Sequence, residues 1–203
     1  MNASFDVTGI ALETKRLRLR PFEEKDLEDL FAYARVPGVG EKAGWSHHKD
    51  QAESQRILAM FIAEKKTFAL VDKESGKVIG SLGVEHYGLE DRLTEFRGYR
   101  GRSIGYVLGQ DYWGRGLMTE AVQAVMDYLF DVLDYDFLLA GYFDHNDRSR
   151  RVQEKCGFRP YRKMVFDTSM GQKEPGVLTL KVHPKKEIRF EFSHLETLIW
   201  SEA

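Results

Sequence analysis

The stretch from Ile104 to Val132 constrains the fold most, because it joins an apolar strand to an amphipathic helix through a glycine-rich turn. Residues 104–108 form an apolar run that is typical of a strand. After the turn Gly114-Arg115-Gly116, apolar residues recur three or four positions apart, which predicts a helix with one buried stripe. The stripe consists of Leu117, Ala121, Ala124, Val125, Tyr128, Leu129 and Val132. Such a helix must pack on another element, and we expect a sheet.

The glycine turn predicts an anion-binding site. Glycine turns the backbone tightly, and the N–H groups of the first helical turn have no partner within the helix and lie at its positive end. Two known phosphate-binding patterns are excluded, because the chain has no Gly-Lys-Ser/Thr run and Thr119 stands where a Rossmann fingerprint needs its third glycine. A short diphosphate-binding turn and an ordinary tight connection both remain open.

The composition limits the partners that the protein is expected to have. The 203 residues include 30 basic and 32 acidic side chains, a balance that gives no general attraction to nucleic acid or to anionic membranes. The single cysteine, Cys156, excludes an intrachain disulfide, and neither it nor the histidines have the spacing of a metal site. There is no signal peptide pattern and no apolar run of twenty residues. We therefore expect a cytoplasmic protein without a metal.

Strand and helix signals alternate along the chain and predict a mixed α/β fold. The segment between residues 88 and 102 is rich in glycine and charge, so we expect a long exposed loop there. The last twenty residues are too apolar to be exposed and should pack on their own domain or on a second subunit, which suggests a homodimer. The other predicted elements are a strand at Arg16–Arg20, a helix at Glu24–Ala34, a helix capped by Asp50 with Glu53, a hairpin of Phe68–Val71 with Val78–Val84, a strand at Phe137–Phe143, a short helix after Asn146, and a hairpin of Arg162–Phe166 with Val177–His183.

Four motifs in this order resemble the GNAT acetyltransferase superfamily, and more closely its RimJ/RimL branch. They are Leu12–Pro21, Ile79–Gly83, Tyr112–Met118 with Glu120-Ala121, and Asn146–Phe158. The resemblance covers roughly Leu12 to His183, which implies a single GNAT domain in residues 1–183 and an apolar extension in residues 184–203. The Gln/Arg-x-x-Gly-x-Gly/Ala element of the superfamily reads Trp113–Met118 here, and only Gly116 matches it strictly.

The resemblance also implies how acetyl-CoA, the co-substrate of this family, would be bound. Two central strands would start paired and then diverge, and the pantetheine arm would take up the backbone hydrogen bonds that they release. The diphosphate would lie on the amides of the glycine turn, and Asn146 would bind the pantetheine amides. The implied cofactor-binding residues are Val107, Leu108, Trp113, Gly114, Arg115, Gly116, Leu117, Met118, Asn146 and Ser149.

Attack of an amine on a thioester needs a base, an oxyanion donor and a hydrogen bond for the departing thiolate. We assign the oxyanion to the N–H of Leu108. Many members of the superfamily place a tyrosine near the thiolate, but Gln153 occupies that position, so Ser149 is the candidate, against the alternative of a purely structural serine. Glu85 is the first candidate for the base, and its alternatives are His86, Glu95 and Tyr87.

These observations predict an N-acetyltransferase that moves an acetyl group from acetyl-CoA to a primary amine. The acceptor is either the α-amine of a protein N-terminus or a small-molecule amine, and the sequence does not choose between them. A non-catalytic acyl-CoA-binding sensor or scaffold is the first alternative, and a nucleotide-binding regulatory domain is the second.

Overall fold

The computed structural model describes residues 2–88, 92–188 and 198–199. The chain divides into two compact units. The N-terminal unit contains residues 5–84 and 105–125, and the C-terminal unit contains the described parts of residues 1–4, 85–104 and 126–203. Among the described residues, no helix combines the length and apolar character needed to span a membrane.

The N-terminal unit is built on strands that follow one another in space as they do in sequence. The predicted alternation of residues 16–20 is confirmed, because Leu17 and Leu19 are fully buried while Arg18 is exposed. The predicted hairpin is confirmed by the pairing of Phe68 with Leu82. In spatial order the strands are β1 (Leu12–Glu13), β2 (Leu17–Pro21), β3 (Thr67–Asp72), β4 (Val78–Glu85) and β5 (Gly101–Leu108), of which Glu85 and residues 101–104 belong to the C-terminal unit.

Two helices, α1 (Leu27–Ala34) and α2 (Gln51–Glu64), supply apolar faces to the core of this unit. The predicted start of α2 is confirmed, because the side chain of Asp50 accepts a hydrogen bond from the N–H of Glu53 at 2.8 Å. One buried cluster of this core consists of Phe22, Leu30, Tyr33, Ala34, Val39, Leu58, Ala69, Val78 and Val107.

Helix α3 (Leu117–Asp127) follows the glycine turn and continues into a π-helical turn at Tyr128–Val132. Most of the predicted stripe is buried, from Leu117 through Leu129. Val132 does not belong to the stripe, and that part of the prediction is wrong, since 65% of this residue is exposed. A π-helical turn has a wider residue period than an α-helix, so it rotates the positions after Tyr128 away from the face set by α-helical spacing.

The C-terminal unit contains β6 (Phe137–Phe143), α4 (Asp147–Lys155), β7 (Arg159–Asp167) and β8 (Lys173–Val182). The predicted hairpin is confirmed, because β7 and β8 pair in antiparallel fashion and β8 also pairs with β6. Residues 101–104 of β5 pair with Phe137–Ala140 in parallel. That register ends at Ile104, although both strands continue, and this is where the resemblance implied divergence. Mixed strand directions and flanking helices confirm the predicted fold class.

The prediction of an exposed loop from residue 88 to residue 102 holds for much of the described part of that segment but is wrong in two respects. Leu93 and Phe96 have no exposed surface, and β5 begins already at Gly101. The ring of Phe96 stacks on that of Phe137, with centroids 4.3 Å apart. Leu93 and Phe96 thus anchor a segment that is otherwise rich in charge, because the burial of an aromatic ring is favourable enough to hold it there.

The residues before the first motif also have a structural role that the sequence analysis missed. The N–H of Ala3 donates to the carbonyl of Gly101 at 3.1 Å, and the buried Arg102 donates through Nε to the carbonyl of Ala3 at 2.6 Å. The hydroxyl of Tyr135 donates to the carbonyl of Ser4 at 2.7 Å. This segment therefore fixes the first residues of β5.

The predicted apolar extension is described only in part. Ile188 packs against the core of the C-terminal unit, and the short strand β9 (Leu198–Ile199) pairs in parallel with β7. Residues 189–197 and 200–203 lie outside the described residues.

Candidate functional site

The glycine turn leads directly into α3, as the sequence predicted. Gly114 and Gly116 both have φ of 75°, in the left-handed region that side chains rarely adopt. Trp113, just before them, is extended, and α3 begins at Leu117. In the first turn of the helix, the N–H of Glu120 donates to the carbonyl of Gly116 at 3.1 Å. Residues 114–118 thus form a glycine turn that leads into a helix start, a setting that favours a bound anion.

Strand β5 ends beside this turn. Val107 and Leu108 are buried, and the indole Nε1 of Trp113 donates to the carbonyl of Leu108 at 2.7 Å. The role predicted for Leu108 uses its N–H, so the indole does not compete for the same group. A Cβ added to Gly80 would lie 2.3 Å from the carbonyl oxygen of Val107, which explains why the Ile79–Gly83 motif needs glycine at that position.

A set of charged contacts holds the outer side of the turn, and the sequence analysis missed it. The guanidinium of Arg16 donates through Nη1 to the carbonyl of Arg115 at 2.8 Å, and through Nε to Glu120 Oε2 at 2.8 Å. Glu120 Oε1 accepts from the hydroxyl of Thr14 at 2.5 Å and from the N–H of Arg16 at 2.8 Å. The alternating sequence pattern placed Arg16 only at the start of a predicted strand. The available signal was that Arg16 and Glu120 both lie in motifs on which the resemblance rests.

The hydrogen bonds of this set favour the ionised form of Glu120. Burial alone would raise the pKa of Glu120, but hydrogen bonds from Thr14 and Arg16 outweigh burial and lower that pKa. The exposed guanidinium of Arg115 lies over the ring of Tyr112, 5.3 Å from its centroid. The side chain of Arg115 therefore packs on its neighbour while its carbonyl binds Arg16.

In the C-terminal unit, the structure joins Asn146 and Ser149 at the start of α4. Asn146 is buried and caps the helix, since its Oδ1 accepts a hydrogen bond from the N–H of Ser149 at 3.2 Å. The predicted start of this helix after Asn146 is confirmed, and Gly157 follows its end with φ of 77°.

Gln153, at the position of the family tyrosine, connects Ser149 to two strands. Its Nε2 donates to the carbonyl of Gly141 at 2.8 Å and to Ser149 Oγ at 3.2 Å. Its Oε1 accepts from the hydroxyl of Thr179 at 2.6 Å. A carbonyl can only accept, so Gly141 fixes the orientation of the amide. An amide has no proton to give at neutral pH, and Gln153 therefore does not replace the tyrosine as an acid.

Glu85, the first candidate for the base, is the last residue of β4 and is half-buried. Burial lowers the pKa of the neighbouring Arg102, and the charge of Glu85 acts in the opposite direction. A carboxylate thus lies near a buried cation at this strand end. The side chain of His86, the next residue, is exposed, as strand alternation requires.

The other two candidates have structural partners. Glu95 accepts hydrogen bonds from the hydroxyl of Tyr161 and from Arg162 Nη2, the latter at 2.8 Å. Burial acts to raise the pKa of Glu95, but these bonds prevail and lower it, so this carboxylate is a weak base. Burial, together with Glu95, raises the pKa of Tyr161 to about 12. Tyr87 is buried in an aromatic cluster, with its ring edge-on to that of Phe137.

His47 and His48 have local partners, and Cys156 is buried. His47 Nδ1 lies 2.7 Å from Glu41 Oε1, and His48 Nδ1 lies 2.7 Å from Ser54 Oγ. Within residues 2–88 and 92–188, no group of three or more His, Cys, Asp and Glu side chains could hold a metal ion. Burial raises the pKa of Cys156 to about 11, so its thiol is protonated at neutral pH.

A protein-family model described as "Acetyltransferase (GNAT) domain" matches residues 16–159. Among curated proteins, the chain is similar to the uncharacterized N-acetyltransferase p20 of Bacillus licheniformis. The two are 28% identical over 153 residues, which cover 73% of this chain and 82% of that protein.

Solved structures show the same fold. An acetyltransferase of the GNAT family from Bacillus anthracis superposes with a TM-score of 0.74 at 20% identity, covering 87% of this chain and 100% of that one. The ribosomal-protein-S5-alanine acetyltransferase of Vibrio fischeri gives 0.65 at 19% identity, covering 87% and 98%. The microcin C7 self-immunity acetyltransferase MccE, solved in complex with acetyl-CoA and AMP, gives 0.67 at 16% identity, covering 83% and 93%.

Proposed function

Because the chain belongs to the GNAT acetyltransferase family and is an acetyl-CoA-dependent N-acetyltransferase, we propose that its acceptor is a primary amine that attacks the thioester directly. The acceptor is either the α-amine of a protein N-terminus or a small-molecule amine. The transfer needs no covalent acyl-enzyme, because a neutral amine and a thioester are already reactive partners once they are held together.

The observation that carries this proposal is the turn at residues 114–118. Two glycines with φ of 75° shape the turn whose backbone amides lead directly into the start of a helix. These groups suit the diphosphate of coenzyme A, because they supply both N–H donors and the positive end of a helix dipole. In the proposal, Val107 and Leu108 bind the pantetheine arm through their backbone, as they would bind an added strand.

The thioester of acetyl-CoA supplies the acyl group and a thiolate leaving group. We assign the N–H of Leu108 to the tetrahedral oxyanion, where a fixed donor in a buried setting stabilises developing charge. Glu85 is assigned to removing a proton from the ammonium form of the acceptor, because only the neutral amine is nucleophilic.

Asn146 and Ser149 keep the roles that the resemblance implies for them. Asn146 is assigned to the pantetheine amides in addition to its cap on α4, in which Oδ1 is the acceptor. Ser149 is assigned to a hydrogen bond with the departing thiolate. A serine hydroxyl is too weak an acid to protonate a thiolate outright, so this hydrogen bond stabilises charge. The homodimer and the cytoplasmic compartment remain expectations.

Release of coenzyme A, followed as free thiol, tests the proposal with a panel of amines. The panel contains peptides with free N-terminal alanine or serine, the same peptides with blocked N-termini, free amino acids and polyamines. Thiol release that depends on one free amine supports an enzyme and identifies its acceptor class. Acetyl-CoA binding without thiol release for any amine would support the sensor alternative instead.

Substitution of the proposed base sharpens the same test. We expect Glu85→Gln to lower kcat roughly a hundredfold or more, the usual contribution of a general base. The matched control is His86→Gln at the exposed neighbouring position, which we expect to leave kcat within about twofold. Equal turnover of Glu85→Gln and the parent protein would remove Glu85 from the mechanism.

A further inference from the structure

The contacts among Thr14, Arg16, Arg115 and Glu120, which we call the Arg16 cluster, bear on how the diphosphate is bound. We propose that Arg16 is a positioning residue for cofactor binding, and that it acts through the peptide group joining Arg115 to Gly116. This inference rests on the proposed function, since it assumes that a diphosphate occupies the turn.

The geometry of a trans peptide supplies the mechanism. The carbonyl of Arg115 and the N–H of Gly116 belong to one planar group and point in opposite directions. Arg16 Nη1 holds that carbonyl at 2.8 Å, so it also fixes the direction of the Gly116 N–H. A cation bound at the oxygen polarises the peptide, which makes the N–H a better donor to an anion. Glycine at position 116, with φ of 75°, offers little resistance to rotation, so this support comes from outside the turn.

Arg16 can do this because its own position is fixed by several bonds. Glu120 Oε2 lies 2.8 Å from Arg16 Nε and 2.7 Å from Nη2, which leaves Nη1 directed at the turn. Glu120 is fixed in its turn by Thr14 and by the N–H of Arg16. The rigid fork of a guanidinium supports the carboxylate and the carbonyl at once, whereas the single ammonium of lysine cannot reproduce both.

Arg18 shows that a basic side chain here need not have such a role. Its guanidinium is 56% exposed and lies 3.3 Å from the exposed Glu13. The two arginines are two residues apart and carry the same charge, but only Arg16 contacts the turn. They therefore form a matched pair for an experiment.

The experiment compares Arg16→Met, Arg16→Lys and Arg18→Met with the parent protein. Isothermal titration calorimetry measures the Kd for coenzyme A, which carries the diphosphate. The ratio kcat/KM with S-acetylpantetheine, in the presence of the best amine, measures acetyl transfer from a donor that has the pantetheine arm but no diphosphate. Thermal melting verifies that each variant is folded.

We expect Arg16→Met to raise the Kd for coenzyme A at least about tenfold, the typical effect of losing a charge-assisted hydrogen bond. Arg16→Lys should remain nearly as weak, and Arg18→Met should match the parent protein. All variants should use S-acetylpantetheine within about twofold of the parent. Since Arg16→Lys keeps the charge and most of the side-chain length, it also supplies the answer if Arg16→Met does not fold.

Three results would overturn the inference. Recovery of coenzyme A affinity in Arg16→Lys would show that charge alone matters. An equal loss with S-acetylpantetheine would show a general structural defect, and unchanged affinity in Arg16→Met would show no role at all. If the parent protein itself bound no coenzyme A, the proposed function would fail together with this inference, so the two failures are distinguishable.

Discussion

The starts of α3 and α4 carry most of the residues that we propose to bind acetyl-CoA, and they are built in different ways. The α3 start offers backbone amides, and it is supported by the side chain of Arg16, which lies 99 residues before Arg115 and 104 before Glu120 in sequence. The α4 start offers the side chains of Asn146 and Ser149. They are supported by the capping hydrogen bond between these two residues, which are three positions apart, and by Gln153. Glycines shape a turn but cannot hold it, so a backbone site needs distant support, whereas a side-chain site can include its own cap.

The largest expected effect tests the backbone site. We expect Gly116→Val to raise the KM for acetyl-CoA roughly a hundredfold, because a β-branched residue cannot hold φ of 75° and the donors move apart. The unfolding free energy should fall by about 1–3 kcal/mol. Steady-state kinetics and denaturant titration measure the two quantities.

The matched control is Gly171→Val. Gly171 has φ of 72° and open space where a Cβ would be placed. At Gly116 an added Cβ would meet only an ordinary contact, with Arg16 Nη2 at 3.7 Å, so strain is similar at both positions. It should lose a similar amount of stability with no change in KM. A comparable KM increase in both variants would mean that general strain, and not the turn, determines affinity.

The second prediction separates the two functions of Asn146 at the α4 start. Asn146→Ser keeps a good helix cap but loses the amide N–H donors, whereas Asn146→Ala loses both. We expect about 1 kcal/mol of destabilisation from alanine and only a few tenths from serine. Both should raise the KM for acetyl-CoA about tenfold, as measured by thiol release. If KM followed stability across the pair, Asn146 would be only a cap.

The smallest effect concerns the distant support of the α3 start. The pKa of Glu120 is lowered from its ordinary value of 4.5 in the folded protein, so its contribution to stability is present above pH 4.5 and is lost as the pH falls through the folded-state pKa. Glu120→Gln should therefore melt at a lower temperature than the parent protein at pH 7. That difference should shrink as the pH falls below 4.5. A gap that stays constant across this range would contradict the role of the charged form.

Local patterns made much of the fold predictable. Alternation of apolar and charged residues predicted β2, and apolar residues three or four apart predicted α3. Glycines before a helix predicted the turn. Each of these signals lies within one element of the chain. The spacing of apolar residues did not reveal the π-helical turn that exposes Val132. No residue type in the sequence marks the point where the helix changes from α-helical to π-helical hydrogen bonding. The burial of Phe96 was missed for another reason, namely that it depends on Phe137 and on partners far along the chain.

The candidate site divides in the same way. Asn146 as a cap and Gly116 as a turn residue were predictable, because their partners are within four positions. Arg16 and Gln153 were not, since their roles depend on Glu120 and Thr179, which only the folded chain brings near. Motif resemblance pointed at Arg16 without a reason, and the contacts supply that reason.

The amide of Gln153 has a consequence for how this enzyme could change over evolutionary time. Because it holds the Gly141 carbonyl and the Thr179 hydroxyl, a change of Gln153 to tyrosine would remove both hydrogen bonds from the protein interior. The Thr179 hydroxyl would keep its bond to the carbonyl of Ala140 at 3.1 Å. Acquiring a phenol at position 153 is therefore a costlier step than exchanging an exposed residue, since it first breaks bonds that the fold already uses.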